Sequence, residues 1–327
     1  MRNRRLEIAR ISSPLHTAFA ISRGAKTQAE TVRVRVTEEN NAGRGESVPY
    51  GRYGETAESV IAAIEGLRSQ IEGGMDLAAL QGALPAGAAR CALDCALWDL
   101  EAKRTGVPVW QRAGLPAPQP LETAVTISLA EPAAMAEAAR VAPGRLLKLK
   151  IGGPDDLDRI KAVHLARPEA RLIVDGNEGL SGETYPAIAM AAAKLGVVLI
   201  EQPFPAGKDE GPLKRPGPVA VCADESAHTS GDIQRLARSY DAVNVKLDKA
   251  GGFTEALAMV RAARQSGMGV MVGCMVAGSL SMAPAVLLAG LADAADLDGP
   301  LWLEADIEGG LTYTDGMVSP PGAALWG

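Results

Sequence analysis

Arg171-Leu172-Ile173-Val174-Asp175, Val197-Val198-Leu199-Ile200-Glu201 and Val219-Ala220-Val221-Cys222-Ala223-Asp224 share one design: each is a short apolar run that ends in a carboxylate. Short β-branched runs bounded by turn residues read as buried parallel strands. An acid just beyond the apolar part of such a strand emerges at the carboxyl edge of the sheet. Three strands in succession bring three acids to one place. That much negative charge repels itself unless a cation joins it, and all-oxygen donors suit Mg²⁺. Asp175, Glu201 and Asp224 are therefore the expected metal ligands.

Outward from this stretch the spacing repeats. Lys150, Asp175, Glu201, Asp224 and Lys246 are separated by 25, 26, 23 and 22 residues, and Asp296 lies 50 further on. Units of this length match a strand plus a helix, as in a (β/α)8-type TIM barrel. With Glu122 to Leu129 as strand one, Lys150 closes strand two and Lys246 closes strand six. In a ring of eight these two strands stand opposite each other, with the acid-bearing strands between them. Two bases on opposite faces of one carbon are what racemisation or epimerisation requires, since one removes a proton and the other returns it. Lys249 rivals Lys246, but Lys246 lies inside the apolar run and Lys249 after it.

The 327 residues suffice for one large domain and a smaller one, and 47% hydrophobic content supplies a sizeable core. A net charge of −6 disfavours a nucleic-acid partner. Leu6-Glu7-Ile8-Ala9-Arg10 alternates instead of forming a signal core, and the apolar run Ala187 to Ala193 is too short to span a bilayer, so no membrane partner is expected. Cys91, Cys95, Cys222 and Cys274 fall in apolar patterns and read as buried free thiols of a cytoplasmic protein. The sequence leaves a homo-oligomer open.

Residues 1–118 read as a separate α+β capping domain. Strands are expected at 4–12, at Thr31 to Val36 and around Glu46 to Val48, with a polar loop from Ser13 to about Gln28. Thr56 is the expected N-cap of a helix carrying Val60, Ile61, Ile64 and Leu67 on one face. A longer helix through Ala89, Leu93 and Leu100 stops near Gly106. The proline-rich linker Leu115 to Pro120 leads into a barrel over 119–303. Barrel helices are expected at 154–167, 182–195, 230–239, 253–266 and 278–291. The glycine- and proline-rich stretch Gly207 to Pro218 predicts a short or missing helix after strand four. The tail, 304–327, is expected to pack back on the capping domain.

Lys148-Leu149-Lys150, Val174-Asp175-Gly176-Asn177, Ile200-Glu201-Gln202-Pro203, Ala223-Asp224-Glu225-Ser226 and Asn244 through Gly252 resemble the enolase superfamily. The likeness is to its muconate-lactonising subgroup, and most of all to the dipeptide epimerases, such as those acting on L-Ala-D/L-Glu. It covers nearly the whole chain. It implies Mg²⁺ on Asp175, Glu201 and Asp224, and Lys150 and Lys246 as the acid/base pair. It also implies Lys148 near the substrate carboxylate, and Asp296 and Asp298 at a dipeptide's ammonium group. Superfamily sites of this kind use a Lys or His base with Mg²⁺ against an enediolate. Mandelate racemase-like relatives carry a histidine at the end of strand seven, where this chain has Gly273-Cys274-Met275.

Arg23, in the expected loop over the barrel mouth, is a substrate contact in this reading. Were it to meet a side-chain carboxylate, the substrate would be Ala-Glu, as in murein peptide metabolism. Asn177 and Glu225 read as supports of the ligands. Two other reading classes compete. One is another reaction of the fold, namely o-succinylbenzoate synthesis, N-succinylamino acid racemisation or muconate cycloisomerisation, whose substrates lack an ammonium for Asp296 and Asp298. The other is a ligand-binding barrel without catalysis, which has no use for opposed bases.

Overall fold

The computed structural model describes residues 4–209 and 217–327. The chain opens with a three-stranded antiparallel sheet, β1 (Arg4–Ile21), β2 (Gly24–Glu38) and β3 (Asn41–Ser47). Val32, Val34 and Val36 are fully buried on one face of β2, as their alternation with Arg33 and Arg35 requires. They pack on the long helix Ala88–Thr105, with Leu93, Ala96 and Leu100 inward. The third strand starts earlier than expected because it lies directly on this helix. A Cβ at Gly43 would meet the Ala96 carbonyl at 2.0 Å, so only glycine allows the approach. Thr56 caps helix Ala57–Glu65, its hydroxyl accepting from the Ser59 amide, a contact type worth about 1 kcal/mol.

The expected loop from Ser13 to Gln28 is instead strand. β1 and β2 run on as a long hairpin, pairing to Ile21 and Gly24, with one irregularity between Pro14 and Phe19. Its residues lack the alternation that marks a half-buried strand, because this part of the hairpin projects from its own domain and leans on the barrel. Ala20 N donates to Ser128 Oγ at 2.7 Å, and Leu15 forms an antiparallel bridge to Leu303. At the tip, Ser22 sits so close to Gly152 that a Cβ there would lie 2.4 Å from the serine Cβ.

Beyond β4 (Leu121–Glu122) the barrel runs β5 (Val125–Ile127), β6 (Leu146–Lys150), β7 (Arg171–Asp175), β8 (Val197–Glu201), β9 (Ala220–Ala223), β10 (Ala242–Val245), β11 (Gly269–Gly273) and β12 (Ala294–Asp296). These eight are parallel and paired in sequence order. The ring closes through Ala124 N to Ala295 O at 2.8 Å and Leu297 N to Thr123 Oγ1 at 2.8 Å. Helices at Asp156–Ala166, Thr184–Ala192, Phe253–Gln265 and Ser279–Ala289 match expectation within a few residues. The helix expected at 230–239 is only Ile233–Leu236. Most of the Gly207 to Pro218 unit lies outside the described residues.

In the tail, β13 (Tyr313–Thr314) and β14 (Met317–Val318) form a small sheet with β4. The chain end then reaches the capping domain, where Trp326 Nε1 donates to Cys95 O at 3.0 Å. Among the described residues, no helix is long and apolar enough to cross a membrane.

Candidate active site

A pocket of about 410 Å³ opens at the carboxyl ends of the barrel strands, under the β1–β2 hairpin tip and the Tyr50–Tyr53 segment. Lys150, Asp224, Lys246, Asp296 and Asp298 line it from the barrel, and Phe19, Ile21, Arg23 and Lys26 from the hairpin. Asp175 and Glu201 are fully buried beneath it. In-register pairing explains the convergence. Lys150 is opposite Asp175, and Asp175 is opposite Glu201, so the same edge carries all three.

The acids and lysines form one buried ionic network. Lys150 Nζ donates to Asp175 Oδ2 at 2.6 Å, and Lys246 Nζ to Asp224 Oδ2 at 2.7 Å. Lys148 is completely buried below the pocket, 3.1 Å from Asp175, 2.8 Å from Glu201 and 2.8 Å from Asp296. Lys249, the rival to Lys246, is also buried and pairs with the other oxygen of Asp224 at 2.5 Å. Lys246 alone of these two lines the pocket.

Electrostatics divide the three acids. Burial pushes Glu201 up to about 7, helped by the neighbouring Asp175 charge. Burial opposes ionisation of Asp224 too, but Lys246 and Lys249 overcome it and hold that carboxyl well below its usual range. Asp175 is likewise lowered, by Lys150 and Lys148 against its burial. Burial lowers Lys246, yet Asp224 and Glu201 outweigh it and hold the ammonium well above its ordinary value. A lysine tied this closely to a carboxylate keeps its proton, so proton exchange at Lys246 needs that pairing to loosen.

The donor set fits a hard divalent cation in chemistry. It is made of oxygens only, on three adjacent strands. Glu201 Oε2 and Glu225 Oε2 are buried acceptors without a hydrogen bond, the Lys148 approach to Glu201 being close but misaligned. Among the described residues, the acids do not form a ready-made cage of three, because ammonium groups take the inner oxygens. Those oxygens are the ones an ion would use.

Asp296 and Asp298 stand on the pocket wall. Asp298 Oδ2 accepts from Thr126 N at 2.7 Å and from Trp302 Nε1 at 3.3 Å. Burial and the adjacent Asp296 raise Asp298 to about 6. Asp296 Oδ1 is buried without a partner. A buried, unpaired carboxylate oxygen beside a second acid is a site for a cationic group.

Arg23 lines the pocket from the hairpin tip. Its guanidinium donates to Asn177 O at 2.7 Å, Glu178 at 3.1 Å, Tyr50 Oη at 3.2 Å and Glu225 at 2.8 Å. Arg52 adds two contacts to Glu178, at 2.9 and 2.7 Å. Arg23 thus ties the hairpin tip to the barrel through both terminal nitrogens while lining the pocket. The expected loop placement hid this, because a strand-borne tip rests directly on the rim.

Sequence reasoning missed several supports. Asn244 Nδ2 donates to Glu201 Oε1 at 2.7 Å. Its place two residues before Lys246 puts both on the inner face of β10, a period-two signal that could have found it. Gln202 Oε1 accepts from Asp224 N at 2.8 Å and fixes the end of β9. Glu178 carried no signal, since its ion-pair partners Arg23 and Arg52 are more than 120 residues away.

The sequence profile described as "Mandelate racemase / muconate lactonizing enzyme, N-terminal domain" matches residues 4–114, and the one described as "Enolase C-terminal domain-like" matches residues 131–324. The chain is 43% identical to the L-Ala-D/L-Glu epimerase of Escherichia coli (strain K12), over 93% of this chain and 96% of that protein. It is also 43% identical to an N-acetyl-D-glutamate racemase of a Pseudoalteromonas species, over 87% and 91%. A crystal structure from Agrobacterium tumefaciens superposes with a TM-score of 0.95 at 46% identity, covering 99% of this chain and 100% of the other. That protein is described as an enolase family member with homology to dipeptide epimerases, with sodium and L-Ala-L-Glu bound. Profile matches to both domains, on a barrel that carries its acids and lysines on successive strands, show that this chain belongs to the mandelate racemase/muconate lactonizing enzyme family of the enolase superfamily.

Proposed function

We propose that this chain is a Mg²⁺-dependent dipeptide epimerase, an isomerase that inverts the α-carbon of the C-terminal residue of a dipeptide such as L-Ala-L/D-Glu. The reading rests above all on strand order: Lys150 ends β6 and Lys246 follows β10, four strands apart in a ring of eight. A carbon held over the three acids then has one ammonium on each side.

Asp175, Glu201 and Asp224 would hold the Mg²⁺, which when bound supplies Lewis-acid charge to the substrate carboxylate. Lys148 adds positive charge from below. Asp296 and Asp298 receive the dipeptide's ammonium. One lysine, freed of its carboxylate partner and having released a proton to solvent, takes the α-proton on its neutral Nζ amine, and the C–H electron pair moves into the carboxylate. The opposite ammonium then donates its proton to the other face of the carbon. Burial of the network leaves each base only 6% exposed, so water reaches it only through the pocket. The four free cysteines fit a reducing cytoplasm, and breakdown of murein peptides is a source of the substrate class.

A second reading is racemisation of an N-acylated glutamate, favoured by the likeness to the Pseudoalteromonas racemase. The partnerless Asp296 oxygen favours the dipeptide, because an acyl group offers it no positive charge. The two are separated in heavy water with Mg²⁺. The expected result is α-deuterium incorporation into L-Ala-L-Glu at a higher kcat/KM than into N-acetylglutamate. The reverse order sinks the dipeptide assignment, and exchange with neither sinks the proton-transfer reading.

A further inference from the structure

We propose that Asp209 is a positioning residue for the metal site, anchoring through Ser226, Tyr240 and Gln202 the strand ends that carry Glu201 and Asp224. This rests on the metal-dependent reading above and extends it to a side chain that does not line the pocket.

Gln202 follows Glu201 directly and is completely buried. Its φ of +30° is a left-handed conformation, which a residue with a side chain holds only when its surroundings fix it. Its backbone N–H continues the ladder to Cys222 O at 2.8 Å, and its side chain bridges to the end of β9. Oε1 accepts from Asp224 N at 2.8 Å and from Ser226 N at 3.2 Å. Nε2 donates to Phe204 O at 2.8 Å and lies 2.9 Å from Ser226 Oγ and 3.0 Å from Tyr240 Oη. One side chain thus joins the residue after Glu201 to the amide of Asp224.

Asp209 supplies the polarity of this network. A carboxylate only accepts, so the two hydroxyls donate to it. Ser226 Oγ does so through a short contact and Tyr240 Oη at 2.5 Å, both to Oδ2. With their hydrogens drawn to Asp209, the hydroxyls present lone pairs to Gln202 Nε2, which keeps Oε1 turned to Asp224. Ser226 is two residues past Asp224, so the same carboxylate also holds the segment behind that ligand. Asp209, Gln202, Ser226 and Tyr240 are all 5% exposed or less. Burial opposes the Asp209 charge, but hydrogen bonds from Ser226 and Tyr240 outweigh it and hold the carboxyl below its ordinary value. The Asp224 oxygens carry Lys246 and Lys249. An incoming cation competes with these ammonium groups, and a ligand held in place from behind binds it better.

The test is calorimetric titration of Mg²⁺ into the wild type, Asp209→Asn, Tyr240→Phe and Thr254→Val, each checked for folding by circular dichroism. It is paired with the rate of L-Ala-L-Glu epimerisation as a function of Mg²⁺ concentration. Asparagine keeps the shape of aspartate but brings an NH₂ into the network, which turns a hydroxyl hydrogen toward Gln202. Asp209→Asn should raise the Mg²⁺ Kd by about 10–100-fold and leave kcat within about threefold of wild type once Mg²⁺ saturates. Tyr240→Phe removes one of the two hydroxyl donors and should raise the Kd by about three- to tenfold. Thr254→Val breaks hydrogen bonds to Asp94 and Trp98, between helices Ala88–Thr105 and Phe253–Gln265, and should leave the Kd unchanged. An unchanged Kd in Asp209→Asn or in Tyr240→Phe overturns the proposal, and so does an equal loss in Thr254→Val. Should Asp209→Asn fail to fold, Tyr240→Phe decides alone. A wild type that binds no Mg²⁺, and keeps its activity after chelation, refutes the metal reading itself. A wild type that binds Mg²⁺ alongside any of the other contrary results refutes only the role of Asp209.

Discussion

Beneath the pocket, Lys148, Lys150, Lys246 and Lys249 face Asp175, Glu201 and Asp224 with side chains 8% exposed or less. At its rim, Arg23 and Arg52 face Glu178 and Glu225 with the arginines 28% and 37% exposed. Both clusters are ion pairs at similar distances, yet they obey different physics. A buried ion carries a desolvation penalty of several kcal/mol, so losing one partner there is severe. At the rim the glutamates are 8% and 2% exposed but the arginines reach solvent. These pairs therefore lie between that limit and the ~0.2–1 kcal/mol of a fully exposed pair, and the arginine side can open and re-form. The lower cluster also lies wholly within the barrel, whereas the rim cluster joins the capping domain to it. The first is suited to fixed chemistry and the second to reversible closure.

Removing a base should break the lower cluster most completely. Lys150→Ala and Lys246→Ala should each lower epimerisation by about 10²–10⁴-fold or more. Each variant should still exchange the α-proton of one epimer with solvent deuterium, and the two should keep opposite epimers. A variant that exchanges both epimers at the wild-type rate has not lost a base.

Next in size is Glu201→Gln, which removes charge without volume. Its Mg²⁺ affinity should fall by more than the ~10–100-fold that loss of a supporting partner costs. Calorimetric titration reads this directly, while circular dichroism should show an intact fold. Full activity in this variant, or in chelator-stripped enzyme, would remove the metal from the mechanism.

Acid pH tests the wall between the clusters. Burial and Asp296 hold Asp298 at about 6, above its ordinary value of 3.8. Above that point it is ionised and, on the proposed reading, would attract a dipeptide's ammonium, and below it the carboxyl is neutral. For free dipeptides kcat/KM should fall about tenfold per unit below pH 6. N-acetylated substrates should lack this limb. An identical acid profile for both kinds of substrate would mean that Asp298 does not meet the ammonium.

The smallest effects belong to the rim. Glu178→Gln should raise KM by about two- to fivefold for acidic and neutral dipeptides alike, as a weakened closure does. Raised ionic strength should reproduce part of this in the wild type. A change in kcat for the chemical step, with KM unmoved, would place Glu178 in the lower cluster's class.

Much of this architecture was legible because its signals are local. Asp175, Glu201 and Asp224 each end an apolar strand, and parallel pairing in sequence order turns equal spacing into spatial convergence. The alternation of Val32, Val34 and Val36, the Thr56 cap and the Gly106 stop are local in the same way. The hairpin from Ser13 to Gln28 was not legible, because its strands are stabilised by backbone pairing and by contacts to Ser128, Leu303 and Asn177.

The order of strands, the three acids and the two opposed lysines were determined by the sequence alone, since a barrel edge follows from period and spacing. Which cation is free was decided only by the tertiary structure. Arg23 and Lys26 are three residues apart on one hairpin, and nothing in their local sequence distinguishes them as ligands for an anion. Glu178 and Glu225, in the segments that follow β7 and β9, claim Arg23, leaving Lys26 against Phe19 without a counter-charge among the described residues. Charge pairing depends on distances of a few ångströms between groups far apart in the chain, and only the folded chain sets those distances.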